Sequence, residues 1–273
     1  TSQTFDARGN VTSETNALGL TRFMAYDAFN NLIESRDARS VSASDNTFVV
    51  TSTWDGVSRN KLSESTPPTV QQPMGTIQTW VFTTGSEPAI AGGVTPKGLL
   101  KSTTNALGAL ETFGYDSKGN LRDTVDAAGL HTVYAYDELG RKTSQTSYPT
   151  GFPGGVTTLF EYDQLGNQTG QSDPAVINAV TGEMHRRRVV STFDAASNLT
   201  QSVESDIGAS AHVDPSRVVL YVYDANDRPV SSTNPESGVT TKEYDPVGNV
   251  IASTDARGVR SEMTYDVRNL MLT

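Results

Sequence analysis

Large apolar residues recur along this chain in pairs two positions apart, and each pair ends on an aromatic residue followed by Asp. Met24 and Tyr26, Phe113 and Tyr115, Tyr134 and Tyr136 are such pairs, as are Phe160 and Tyr162, Tyr221 and Tyr223, Met263 and Tyr265. The position between them holds Ala25, Gly114, Ala135, Glu161, Val222 or Thr264, mostly small or polar. A spacing of two places the large groups on one face of an extended strand and the small ones on the other. Helical periodicity is nearly absent, so the pattern predicts an all-β chain.

The aromatic–Asp pair is itself a repeat. Ten copies run along the chain: Phe5-Asp6, Tyr26-Asp27, Trp54-Asp55, Tyr115-Asp116, Tyr136-Asp137, Tyr162-Asp163, Phe193-Asp194, Tyr223-Asp224, Tyr244-Asp245 and Tyr265-Asp266. Asp6 to Asp27, Asp116 to Asp137, Asp224 to Asp245 and Asp245 to Asp266 are each 21 residues apart. A fixed period of this size predicts stacked units whose stability comes from their neighbours. Residues 1–273 are expected to form a single array of about eleven units with no separate second domain, counting a degenerate copy near Phe82-Thr83-Thr84-Gly85.

Each unit reads as an antiparallel hairpin. Leu121 to Val125 and His131 to Tyr136 are candidate strands, separated by Asp126-Ala127-Ala128-Gly129 and followed by Asp137-Glu138-Leu139-Gly140. Asp at the first turn position accepts hydrogen bonds from the turn's own amides, and Gly takes the left-handed conformation that closes it. Gly9, Gly119, Gly140, Gly166 and Gly248 occupy that closing position after the aromatic–Asp pairs. The repeat aromatics should stack as a ladder, and full burial there would make Tyr136→Ala cost about 3–5 kcal/mol.

Departures from the 21-residue period locate insertions. Ser40 to Val50, Tyr148 to Val156, Pro174 to Arg187 and Ile207 to Pro215 are expected to lengthen the turns opposite the aromatic–Asp turns. The stretches Pro67 to Pro73 and Gly92 to Pro96 are assigned to that same rim. About 22 strands at about 4.8 Å spacing give a sheet on the order of 100 Å long, enough for a curved wall about 30 Å across if closed. Two unpaired sheet edges would then be open to continuation or self-association.

Composition narrows the chemistry. Of 273 residues, 36% are hydrophobic, with 23 Gly and 12 Pro, which suits short strands and tight turns better than one thick core. The absence of Cys removes disulfides and thiolate chemistry. A net charge of −10 argues against nucleic acid as a partner, and no apolar run reaches membrane-spanning length. His131, His185 and His212 fall near different loops without metal-ligand spacing, so structural or solvent-facing roles are expected. No Gly-x-Ser-x-Gly elbow is present. The turn aspartates are expected to cap their own turns and not to bind calcium. Arg186-Arg187-Arg188 reads as a solvated loop, and the sequons at Asn10, Asn167 and Asn198 as by-products of the repeat. No catalytic, metal or cofactor residue is expected.

The copies Tyr115-Asp116-Ser117-Lys118-Gly119-Asn120-Leu121, Tyr136-Asp137-Glu138-Leu139-Gly140-Arg141 and Tyr244-Asp245-Pro246-Val247-Gly248-Asn249-Val250 closely resemble the RHS/YD repeat. That resemblance covers essentially the whole chain. It implies a long β-sheet spiralling into a hollow shell, as in bacterial Rhs polymorphic toxins, the B and C components of Tc toxins, and teneurins. By the same resemblance, this would be an internal piece of a secreted bacterial toxin. Its partners would be the rest of the parent shell and an enclosed toxin segment. The implied function is non-enzymatic encapsulation and delivery of a payload. The alternative is a cell-surface adhesion or carbohydrate-binding module. The self-cleaving terminal core of the bacterial members is not visible. Asp245-Pro246-Val247-Gly248 resembles its Asp-Pro-x-Gly element, but keeps the ordinary 21-residue spacing to both neighbours.

Overall fold

The computed structural model describes residues 1–208 and 215–272. Among them there is no helix; the chain forms 23 strands. Of these, 21 are assigned to one antiparallel sheet, and the short strands Val176–Ile177 and Met184–His185 pair apart from it. The chain falls into two compact units, Thr1–Val133 and Tyr134–Thr273.

In the first unit, Ser2–Phe5 pairs with Val11–Thr15, which pairs in turn with Thr21–Tyr26. The pattern continues through Leu32–Arg36, Val49–Trp54, Lys61–Thr66 and Thr76–Phe82 to Leu100–Thr104, Leu110–Tyr115 and Leu121–Val125. The pairing slips by one residue beside the aromatic–Asp turns, between Thr4 and Phe5, Ala25 and Tyr26, Thr53 and Trp54, and Val81 and Phe82. Such a slip is a β-bulge, which sets two residues against one and tightens the local twist. At the opposite turns the ladder runs straight, as in Ser13↔Phe23, Glu14↔Arg22 and Thr15↔Thr21. Among the described residues, only the aromatic–Asp class of turn is bulged.

The second unit repeats the scheme. Val156–Tyr162 pairs with Gln168–Ser172, Arg187–Phe193 with Leu199–Asp206, and Arg217–Tyr223 with Pro229–Thr233. Bulges again precede Tyr162, Phe193, Tyr223 and Tyr244. The short hairpin Val176–Ile177 with Met184–His185 lies in the segment between Gln168–Ser172 and Arg187–Phe193, inside an opposite turn as expected.

One insertion lies on the other side from the one expected. Residues 84–97 do not lengthen an opposite turn; they stand between Thr83 and Gly98, where an ordinary aromatic–Asp turn has two residues. Thr83 N donates to Leu99 O at 2.8 Å and Gly98 N to Thr83 O at 2.9 Å, the same pair of bonds that closes the Asp turns. Thr83 also supplies the missing side-chain acceptor, its Oγ1 taking the Leu99 N–H at 3.0 Å while donating to Pro96 O at 2.6 Å. The inserted segment is tied by Glu87, which accepts from Thr84 N and from Thr84 Oγ1. Partial desolvation pushes the Glu87 carboxyl up, but the hydrogen bonds it accepts outweigh this and hold it at about 2.

The sheet carries little buried apolar material. Among the described residues only Ala89 and Ala252 are buried hydrophobics. The repeat tyrosines are half-buried, and Phe5 is 57% exposed. The cost of full burial anticipated for Tyr136→Ala therefore does not apply, because the ring keeps part of its surface in water. Stability must come mainly from ladder hydrogen bonds and from cross-strand side-chain pairs.

Candidate functional site

The recurrent chemistry of the chain sits on its aromatic–Asp turns. At Asp116, the backbone N donates to Asn120 O at 3.0 Å and Gly119 N donates back to Asp116 O at 3.1 Å. Carboxylate Oδ1 accepts the N–H groups of Lys118 at 3.0 Å and Asn120 at 2.9 Å, and Oδ2 accepts Asn120 Nδ2 at 2.9 Å. Equivalent bonds recur at Asp6, Asp27, Asp194 and Asp245. At Asp163, Asn167 supplies both its N–H and its side-chain amide. Where the residue four after Asp is Arg, its Nε replaces the amide: Arg141 to Asp137 and Arg228 to Asp224, both at 2.7 Å. Leu270 stands there after Asp266 and gives only its N–H, and the turn at Asp55 has one extra residue and uses Ser58 instead.

These bonds set the electrostatics. The Asn198 backbone N–H, followed by its side-chain amide, holds the Asp194 carboxyl below the usual carboxylate range. At Asp224 the Arg228 guanidinium is the leading cause of a shift in the same direction. Carboxylate oxygens committed to their own turn are poor candidates for metal ligands. Among the described residues, no group of three or more His, Asp or Glu side chains could hold a metal ion.

Gly9, Gly119, Gly140, Gly166 and Gly248 all have positive φ, as the turn requires. In four other aromatic–Asp turns the same position is Asn30, Ser197, Asp227 or Asn269, with φ from 59° to 67°. A residue with a Cβ is strained there, and Asn and Asp tolerate it best.

The hairpins are joined through their aromatics. Tyr162 Oη donates to Lys142 O at 2.9 Å, Tyr223 to Leu199 O at 3.1 Å, and Tyr244 to Pro229 O at 2.8 Å. Tyr115 reaches Leu100 O at 2.7 Å and Tyr265 reaches Val250 O at 3.0 Å. Trp54 does the same with its indole N–H, to Leu32 O at 2.9 Å. In every case the acceptor begins the strand that leaves the preceding turn. The ring at the head of one hairpin is thereby fastened to the hairpin before it.

His131 and His185 each pair with a different Asp. His131 Nε2 meets Asp123 Oδ2 at 2.5 Å across neighbouring strands, and His185 Nδ1 meets Asp206 Oδ2. His212 lies outside the described residues. The arginine run is not the solvated loop expected from sequence. Arg187 and Arg188 begin the strand Arg187–Phe193. Arg187 pairs with Asp173 at 3.1 Å and Glu204 at 2.9 Å, and Arg188 with Glu161 at 2.8 Å. Cross-strand carboxylates draw the arginines into the ladder. Asn198, one of the sequon residues, has its amide nitrogen shared between Asp194 Oδ2 and Asp227 Oδ1. Sequence reasoning had given the residue four after Asp no role, although its recurrence as Asn or Arg was the available signal.

Tandem bulged hairpins, most of them capped by their own Asp and six of them bonded through the repeat aromatic to the hairpin before, define an all-β repeat sheet. Three segments, residues 5–42, 115–152 and 223–260, match the RHS repeat, and the chain carries RHS repeats at these places. No curated protein matches it. Its fold is similar to that of the crystal structure of TcdB2-TccC3 without the hypervariable C-terminal region, at 11% identity and a TM-score of 0.51. The crystal structure of TcdB2-TccC3-Cdc42 gives 12% identity and a TM-score of 0.52. Both comparisons cover 99% of this chain and 17% of the other. The likeness at these identities is one of fold, and the chain spans about a sixth of those proteins' length.

Proposed function

We propose that this chain is a non-enzymatic wall segment of a bacterial Rhs/Tc-type toxin shell, which encloses a toxin payload and helps deliver it. The observation that carries the reading is the way successive hairpins are bonded. Each repeat aromatic hydroxyl or indole named above ends on the backbone of the preceding hairpin, so the sheet grows by adding identical units without needing a central core. Such a sheet is suited to containment, because its area scales with the number of repeats. The RHS repeats and the TcdB2-TccC3-like fold support the assignment.

On this reading residues 1–273 are one array within a larger secreted protein. Its partners are the rest of the parent shell and the enclosed segment, with sheet edges available for self-association. Asp245 supports a structural role for the Asp-Pro-Val-Gly string. Its Oδ1 accepts from Val247, Gly248 and Asn249 N–H groups, much as in the other turns. The test is protease treatment of the full parent protein co-expressed with its payload. Containment predicts a payload that survives intact and is degraded once the wall repeats are deleted. Equal degradation in both would end the proposal, and selective binding on a glycan array would favour the adhesion reading.

A further inference from the structure

Consecutive aromatic–Asp turns are linked along the rim by side chains of two matched kinds. In the first, an Asn four residues after one turn Asp reaches a polar side chain three residues after the next. Asn10 Nδ2 donates to Asn30 Oδ1 at 2.9 Å, and Asn167 Nδ2 meets Ser197 Oγ at 3.1 Å. Asn198 Nδ2 donates to Asp227 Oδ1 at 2.8 Å, and Asn249 Nδ2 to Asn269 Oδ1 at 3.1 Å. In the second kind, the first residue is Arg and the second is Gly. Arg141 Nη1 donates to Asp163 O at 2.7 Å, and Arg228 Nη1 to Asp245 O at 3.1 Å. The same guanidiniums lie 4.9 Å and 4.6 Å from the ring centroids of Tyr162 and Tyr244. The glycines facing them are Gly166 and Gly248, both at positive φ.

We infer that, at the six junctions named above, these two positions form a matched pair and specify which hairpin fits beside which. The chemistry accounts for the matching. Asn is short, so it spans the junction only when the next turn offers a side-chain acceptor. Gly offers none, and only the longer Arg reaches the main-chain carbonyl beyond it and lies on the following ring. The left-handed residue is the other half of the argument. Asn30, Ser197, Asp227 and Asn269 occupy a backbone conformation that glycine adopts at no steric cost, and each of them receives an Asn from the preceding turn. The strained residue stands where it is needed as an acceptor.

Junctions with altered turns use other contacts. The Asp55 turn is one residue longer, and its Arg59 guanidinium lies 3.6 Å from the centroid of the Phe29 ring in the preceding turn. Leu99 has no polar group to offer, and the inserted segment itself crosses to the next turn, Ile90 N donating to Tyr115 O at 2.8 Å. In the sequence, Asn120 and Gly140 are the one unmatched pair between turns of ordinary length.

A double-mutant cycle in the 273-residue chain tests the pairing. Arg141→Asn keeps a side chain able to bond Asp137 but faces Gly166, so its urea midpoint should fall. Adding Gly166→Asn restores the acceptor and should recover at least half of the loss, although Gly166→Asn alone lowers the midpoint. The converse cycle is Ser197→Gly, which relieves strain but removes the acceptor, and its combination with Asn167→Arg. Recovery beyond additivity in either cycle supports the pairing. Additive effects in both overturn it. If one set fails to fold, the other decides by the same criterion.

Discussion

Tyr162 donates its phenolic hydrogen to the backbone oxygen of Lys142 at 2.9 Å, across the boundary between two hairpins. Lys142 answers on the same face, its ammonium lying 4.9 Å from the centroid of Phe160 and 5.6 Å from that of Tyr134. One strand's backbone and side chain are therefore held by aromatics of two consecutive repeats.

Removing only the hydroxyl separates the two contributions. Tyr162→Phe should lower stability by about 0.5–1.5 kcal/mol, the net value of one hydrogen bond. Tyr162→Ala should cost about 2 kcal/mol, roughly half the value for a fully buried ring. Urea unfolding followed by circular dichroism measures both. An alanine variant as stable as the parent would contradict the interlocking of hairpins.

Gly140 has φ 79°, and its N–H closes the turn on Asp137 O at 3.1 Å. A β-branched side chain is strained in that conformation, so Gly140→Val should cost at least about 1–2 kcal/mol. Gly140→Asn should cost clearly less, because Asn tolerates left-handed backbone. Equal losses would show that crowding, and not backbone conformation, sets the penalty.

Acid should loosen the sheet at its turns. Asp194 is held below its ordinary value near 3.8 in the folded chain, first by the Asn198 N–H. The folded state therefore binds that proton less readily than the unfolded state. Its contribution is complete above about pH 4 and is lost as pH falls through the lowered folded pKa. Asp6 is shifted in the same direction, led by the Asn10 side chain, as is Asp163, led by that of Asn167. Asp194→Asn keeps a capping oxygen, since Asn16 makes the same backbone bonds in an opposite turn. The variant should show a shallower fall in urea midpoint below pH 4. An unchanged slope would remove the turn carboxylate as its source.

Ala252 is only 1% exposed, and it pairs directly with Glu243 on one side and Glu262 on the other. Arg260 bridges those carboxylates, reaching Glu243 at 2.5 Å and Glu262 at 3.1 Å. Ala252→Leu should cost about 1–3 kcal/mol by overpacking, and Arg260→Ala clearly less, because its ion pairs face solvent. Thermal melting of the two variants checks that order.

Much of this was legible in the sequence. Period-two spacing placed the strands Leu121–Val125 and His131–Tyr136 where the structure has them, and Asp with Gly marked the turns. What escaped depends on partners one repeat away. Asn198 reads as polar filler until Asp227, 29 residues on, is seen to accept from it. The insertion at 84–97 was misplaced because Thr83 does the work of Asp with a hydroxyl, and its closing glycine, Gly98, lies far along the chain. Burial was overestimated because alternation shows which face a residue takes, but not whether anything covers that face.

The fastening of Trp54, Tyr115, Tyr162, Tyr223, Tyr244 and Tyr265 to the strand before has a mechanical consequence. Under tension along the chain, load falls on one junction at a time, and the rest of the ladder stays shielded until that junction gives. Pulled in an optical trap, the polypeptide should lengthen in a sawtooth, with ordinary repeats releasing about 70–75 Å of contour per step at about 3.5 Å per residue.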